Sequence, residues 1–216
     1  RTPATHPPPR VVTTQLVYDS ARGVCVLFGG AHPQGPTFDF NDTLKWDGIN
    51  WTQRTTDESP PARVHGIMVY DSNRSRTVLS GGRLYSPPAT LYNDTWEWDG
   101  SNWAQVTPEG VYDPRLAMRG AYDTARGRVV LFGGRELYSS RVVDPYGPPF
   151  PDSFAGVLTN DMWGFDGSGW TRIALANQPS PREGAQLIDD PVRHRLVLVG
   201  GRTEDQSGDT SDKLSI

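Results

Sequence analysis

Arginine recurs at two kinds of place in this chain. Arg63, Arg115 and Arg182 follow a proline by one or two positions, and Arg83, Arg135 and Arg202 each follow a pair of glycines. A guanidinium presents a planar fork of donors that grips a carboxylate through two bonds. Brought together, Arg63, Arg115 and Arg182 would hold an acidic ligand,. Their recurrence favours the plainer use, salt-bridging to aspartates of neighbouring repeats. Asp42, Asp94, Asp161 and Asp212 recur as well, each in an Asn/Ser-Asp-x-aromatic or aliphatic unit. Calcium needs several oxygens converging on one point. One aspartate per repeat argues instead for an Asx turn or a backbone cap. His6, His32, His65 and His194 lack metal-ligand spacing,. No nucleophile elbow, phosphate loop or HExxH run is present,. The expectation is therefore no catalytic residues, no metal and no cofactor.

Seven tryptophans are the next candidates, because flat aromatic faces stack on sugars. They fall at repeating places, however: Trp46 with Trp98, Trp96 with Trp163, and Trp51, Trp103 and Trp170 with one another. Packing between repeats predicts that recurrence, whereas a ligand site does not require it. Each buried indole removes about 150–250 Å² from water.

The elements that position these residues emerge from self-comparison. Paired glycines begin at Gly29, Gly81, Gly133 and Gly200, so the spacings are 81 − 29 = 52, 133 − 81 = 52 and 200 − 133 = 67. Ten residues before each pair stands Asp19, Asp71, Asp123 or Asp190. The 15 extra residues of the third interval (67 − 52) lie between the glycines and the Asn-Asp unit, within Arg135–Thr159.

Each repeat reads as four strands. Strand A ends at the aspartate. Strand B is an apolar run into the glycines (VCVLFGG, TVLSGG, VVLFGG, LVLVGG) without alternation, which implies cover on both faces,. Strand C alternates, placing Leu44/Trp46, Trp96/Trp98, Trp163/Phe165 and Leu214/Ile216 on one face,. Asp47, Asp99 and Asp166, each followed by Gly, make the C–D turn, and strand D opens at Trp51, Trp103 or Trp170,. Such sheets bury both faces only by stacking on one another, and radial stacking gives a propeller.

The double glycine after an apolar strand, the aromatic strand and the Trp-opened strand together resemble the kelch repeat, and the WDG-x-N-W spelling is similar to bacterial kelch-type propellers. The resemblance implies an all-β, kelch-type β-propeller domain over 1–216, with about four four-stranded antiparallel blades (approximately 3–55, 56–107, 108–173 and 174–216). The last repeat reads as lacking its outer strand. The ring would then be completed by further repeats or by self-association with another chain.

A net charge of −4 gives no electrostatic reason to expect nucleic acid,. No apolar run approaches the ~20 residues of a membrane helix. The lone Cys25, inside strand B, reads as a small apolar core residue,. The A–B and C–D turns are short and alike, while the B–C loops are long and differ. Variable loops on a rigid scaffold are where binding resides. The B–C and D–A loops share one face, so the expected function is non-enzymatic binding of a protein or glycan partner there. The candidate residues are Arg63, Arg83, Arg115, Arg135, Tyr138, Tyr146, Phe150, Arg182 and Arg202. The resemblance leaves two alternatives: a sugar isomerase- or lyase-like enzyme working at the central mouth, and a structural module of a larger secreted or surface protein.

Overall fold

The computed structural model describes residues 7, 9–10, 15–32, 39–84, 86, 90–137, 156–203 and, as backbone, 214–215. Among these residues the chain is all-β, with no helix and therefore none long and apolar enough to cross a membrane. Four antiparallel sheets follow one another along the chain. The first holds β1 (Gln15–Asp19), β2 (Val24–Phe28), β3 (Thr43–Trp46) and β4 (Trp51–Arg54). The second holds β5 (Ile67–Asp71), β6 (Arg76–Ser80), β7 (Thr95–Trp98) and β8 (Trp103–Val106). The third contains β9 (Arg115–Leu116), β10 (Arg119–Asp123), β11 (Arg128–Leu137), β12 (Gly156–Phe165) and β13 (Trp170–Ile173). The fourth has β14 (Gln186–Asp190), β15 (Arg195–Val199) and β16 (Leu214–Ser215). The described strands therefore number four, four, five and three rather than four throughout. The fifth is β9, a short piece that precedes the third sheet's first long strand and pairs with the far end of β11.

Two aspartate devices make the turns. Asp19, Asp71, Asp123 and Asp190 each accept a hydrogen bond, at 3.1 Å in every case, from the amide three residues on. The arginine carrying that amide folds back onto the same carboxylate at 2.7–3.1 Å. In the other turn, Asp99 Oδ1 accepts from the amides of Ser101 (2.7 Å) and Asn102 (2.8 Å), and Asp47 does the same for Ile49 and Asn50. These backbone bonds hold the Asp99 carboxyl below its ordinary range,. The following glycines adopt φ of 95–105°, which a side chain would oppose,. Each such turn sets an aromatic pair opposite: Trp46 and Trp51, Trp98 and Trp103, Phe165 and Trp170.

Strand alternation then divides each sheet between two neighbours. In the second sheet Met68, Leu79, Trp96, Trp98 and Trp103 join Val24, Val26 and Phe28 of the first. Ile67, Val69 and Val78 face the third sheet and join Val129, Leu131, Phe165 and Trp170. A third core links Val130, Phe132 and Met162 with Leu187, Leu196 and Leu198 of the fourth. Strands β1, β5, β10 and β14 pack on one another in chain order. The aromatic pairs stack within a sheet, and the inter-sheet contact is indole on a different ring or hydroxyl. Trp103 sits edge-on to Phe28 (5.3 Å) and donates Nε1–H to Thr43 Oγ1 (2.8 Å). Trp170 likewise meets Tyr112 at 5.3 Å and donates to Thr95 Oγ1 at 2.9 Å. At the third joint Met162 replaces the threonine. A cavity of about 200 Å³ lies there, lined by Arg128, Val130, Met162, Ile173 and Leu196.

The paired glycines are needed for close approach between sheets as well as for their positive φ. Gly30 N donates to Arg63 O (3.0 Å) and Gly134 N to Arg182 O (2.9 Å), each in the following sheet. A Cβ on Gly29 or Gly133 would stand 2.6 or 2.5 Å from that same carbonyl oxygen. Cys25, expected in the core, is half-buried, because it points to the side of the first sheet away from the second.

Candidate functional site

The proline-linked arginines are buried inside their own sheets, not displayed at a mouth. Arg63 is 2% exposed. It grips Asp94 through Nη1 (2.5 Å) and Nη2 (2.8 Å), and donates to Gly81 O (3.0 Å) and Pro61 O (3.0 Å). Arg115 meets Asp161, Thr159 Oγ1 (2.8 Å) and Glu136 (2.9 Å). Arg182 donates to Ser180 and to Gly200 O. Arg10, not singled out from the sequence, repeats the arrangement with Asp42 at 2.6 Å.

The aspartate of the Asn-Asp unit is thus a hub between strands, not an Asx-turn residue. Asp94 also accepts Trp96 Nε1–H (2.8 Å), and Asp161 accepts Trp163 Nε1–H (2.6 Å). Burial opposes the charge on Asp161, but the hydrogen bonds from Arg115 and Trp163 and the Arg115 charge outweigh it and hold the carboxyl low,. The partner lies within the repeat, not in a neighbouring one. The signal was available: Arg10 to Asp42 is 32 residues, Arg63 to Asp94 is 31, and Arg115 to Asp161 is 46, the same spacing enlarged by the insertion.

The arginines after the glycines behave differently. Each lies where the chain entering a sheet pairs with the chain leaving the second long strand, as Val64 pairs with Arg83 and Glu183 with Arg202. Arg135 Nε and Nη2 donate to Glu183 at 2.9 and 3.1 Å, and Arg202 Nη2 reaches the same carboxylate at 2.9 Å. Burial opposes the Glu183 charge, yet the two guanidiniums hold its carboxyl low. Three sheets therefore contribute to one cluster beside the starts of β5, β10 and β14: His65 and Arg83, then Arg119 and Arg135, then Glu183 and Arg202.

His65 occupies this cluster with φ 60°, at the place that Ala117 (φ 54°) and Gly184 (φ 69°) take in the next two sheets. Burial, reinforced by the charges of Arg83 and Arg119, pushes its imidazole down to about 4,. Arg119 is lowered by burial alone, and its Nη1 donates to Met118 O at 3.1 Å. Neither His65 nor Arg119 was legible as a site residue, since neither recurs. Tyr138, Tyr146 and Phe150 lie outside the described residues. The base of their insertion is strand, because Arg135, Glu136 and Leu137 pair with Leu158, Val157 and Gly156.

The depressed His65 value has a definite sign. In the unfolded chain the imidazole gains a proton near its ordinary value of 6.5, while in the folded chain it stays neutral down to about 4. The unfolded state binds more protons within that window, so stability falls as pH drops from about 6.5 to 4. The loss from this group is at most about 3 kcal/mol. His65→Asn keeps a residue that tolerates positive φ and removes the titration. Urea unfolding at pH 7 and pH 4.5 should show the stability difference between variant and parent moving by about 2–3 kcal/mol in the variant's favour at the lower pH. A pH-independent difference would place His65 in contact with water.

No family model matches the sequence, and a search of curated proteins returns no match either.

Proposed function

We propose that the chain is a non-enzymatic, kelch-type propeller module that binds a carboxylate-bearing glycan or protein partner on its loop face, at the arginine cluster. The double-glycine repeat and the chain-order stacking of the four sheets support the propeller reading. For the binding role, the observation that carries it is Arg119. This guanidinium is partly withdrawn from water, and among the described residues no ion pair holds it. Desolvating a cation costs free energy that an opposite charge recovers. Around Arg119, Glu183 is held by two arginines and His65 is neutral at pH 7. The cluster is therefore positive although the whole chain carries −4, and it suits an incoming carboxylate through charge-assisted bonds.

The test is calorimetric titration with carboxylated glycans and glutamate-rich peptides. Arg119→Ala should weaken binding about tenfold and leave the melting temperature unchanged or raised, since it removes a poorly compensated charge. Binding that survives Arg119→Glu at full strength would place the ligand elsewhere. Failure of every anionic probe to bind the parent chain would remove the reading.

A further inference from the structure

The first and fourth sheets each carry a face that the internal joints show how to fill. At the first two joints the same parts meet. The earlier sheet contributes an arginine from its Asp-capped turn: Arg22 Nη2 donates to Asp99 O of the second sheet, and Arg74 reaches so close to Gly167 of the third that a Cβ there would lie 2.5 Å from its Nη1. The later sheet contributes a tyrosine just before its own turn aspartate: Tyr70 OH accepts from Ala21 N (3.3 Å), and Tyr122 lies beside Asp71. Apolar residues close the rest, with Met68 7% and Val69 6% exposed.

Each of these parts recurs on the outer faces without its counterpart among the described residues. On the first sheet, Tyr18 stands at the place of Tyr70 and is 58% exposed, and Leu16 stands at the place of Met68 and is 56% exposed. The Asp47–Gly48 turn matches Asp99–Gly100, yet among the described residues a Cβ on Gly48 would meet nothing within 4 Å. On the fourth sheet, Ile188 matches Val69 but is 52% exposed, and Val192 and Val199 are exposed too. Arg193 matches Arg22 and Arg74, and its side chain is largely in solvent. One face supplies what the other is built to receive.

We infer that the fourth sheet of one copy docks onto the first sheet of a second copy, head to tail. Ile188 and Val199 then cover Leu16, Arg193 reaches the Asp47–Gly48 turn, and Tyr18 OH accepts from the backbone of the Pro191–His194 turn. Polar groups agree with shape: Arg193 folds onto its own Asp190, as Arg22 does onto Asp19, and still has donors for the carbonyls of the Asp47–Gly48 turn, as Arg22 has for Asp99 O. A heterologous contact of this kind closes into a ring or continues as a chain of copies.

Sedimentation at about 100 µM tests the contact. The parent chain should sediment as two or more copies. Leu16→Asp and Ile188→Asp should each sediment as single copies, with melting temperatures within about 2 °C of the isolated parent copy. Their equimolar mixture should give a heterodimer, because it restores one intact pairing of faces. A single-copy parent, a variant that assembles as the parent does, or a mixture of folded variants that stays apart would overturn the contact. So would a variant that unfolds, since its face would then already be covered within the copy. Neither residue belongs to the arginine cluster, so ligand titration reports separately on the proposed function.

Discussion

Trp98→Ala should lower the unfolding free energy by about 3–5 kcal/mol, among the largest effects of any single truncation in this chain. The indole is 2% exposed and lies in the core between the first two sheets with Phe28, Leu79, Trp96 and Trp103. Its ring centroid is 5.5 Å from that of Trp103, which is in turn tied to Thr43 of the first sheet. Truncation thus opens a cavity and loosens the ring that bridges two sheets. Area alone sets an upper bound of about 4–6 kcal/mol for such a ring. Trp46→Ala is the matched control. Trp46 has the same repeat position and stacks on Trp51 at 5.5 Å, but it sits half-buried on the outer face of the first sheet. Its loss should be smaller by at least about 1 kcal/mol. Urea unfolding measures both. A Trp98 effect below about 1 kcal/mol would mean that the ring reaches water and that the sheets do not share this core.

The contrast between the two tryptophans shows what repetition reveals and what it hides. Strand order, the two aspartate turns and the paired glycines were readable because backbone conformation depends on nearby residues. Gly48, Gly100 and Gly167 follow aspartates that cap the same turn three times. Whether a repeated position is buried depends on whether a neighbouring sheet lies beside it, and so Trp46 and Trp98 share a pattern but not an environment. The candidate site divided similarly. Arg63 and Arg115 read as salt-bridged to neighbouring repeats, because the carboxylates of their own repeat lie 31 and 46 residues away, a pairing that the folded sheet brings together. Tyr112 was passed over because it stands alone in the segment before β9. Yet it is 1% exposed, its hydroxyl shares a 2.7 Å hydrogen bond with Ser80 Oγ, and burial pushes its phenol upward. Arg119 and His65, the latter weighed only as a metal ligand, were missed for the same reason: they occur once each, and the cluster they form spans three sheets.

The buried Arg63–Asp94 pair supports the second large prediction. Asp94→Ala should cost about 3–5 kcal/mol, because it strands a guanidinium that is 2% exposed as a residue and has no water to turn to,. The same change removes the acceptor of Trp96 Nε1–H, which adds to the loss,. Asp94→Asn separates the two effects. An amide oxygen still accepts one bond, so the remaining penalty reports on the missing charge, and the cost should fall below that of alanine by about 1–2 kcal/mol. Arg63→Met combined with Asp94→Leu then tests whether the pair stabilises the sheet or specifies it. With both charges gone the desolvation penalty disappears, and the double variant should recover most of the loss seen for Asp94→Ala, short of about 1–3 kcal/mol for the unpaired indole N–H. Near-complete recovery would assign the pair to strand register, since the same arginine–aspartate lock at Arg10–Asp42 and Arg115–Asp161 ties the entry of a sheet to its third long strand. A double variant as unstable as Asp94→Ala would show instead that the four bonds donated by Arg63 hold the entry segment in place, and that no apolar packing replaces them.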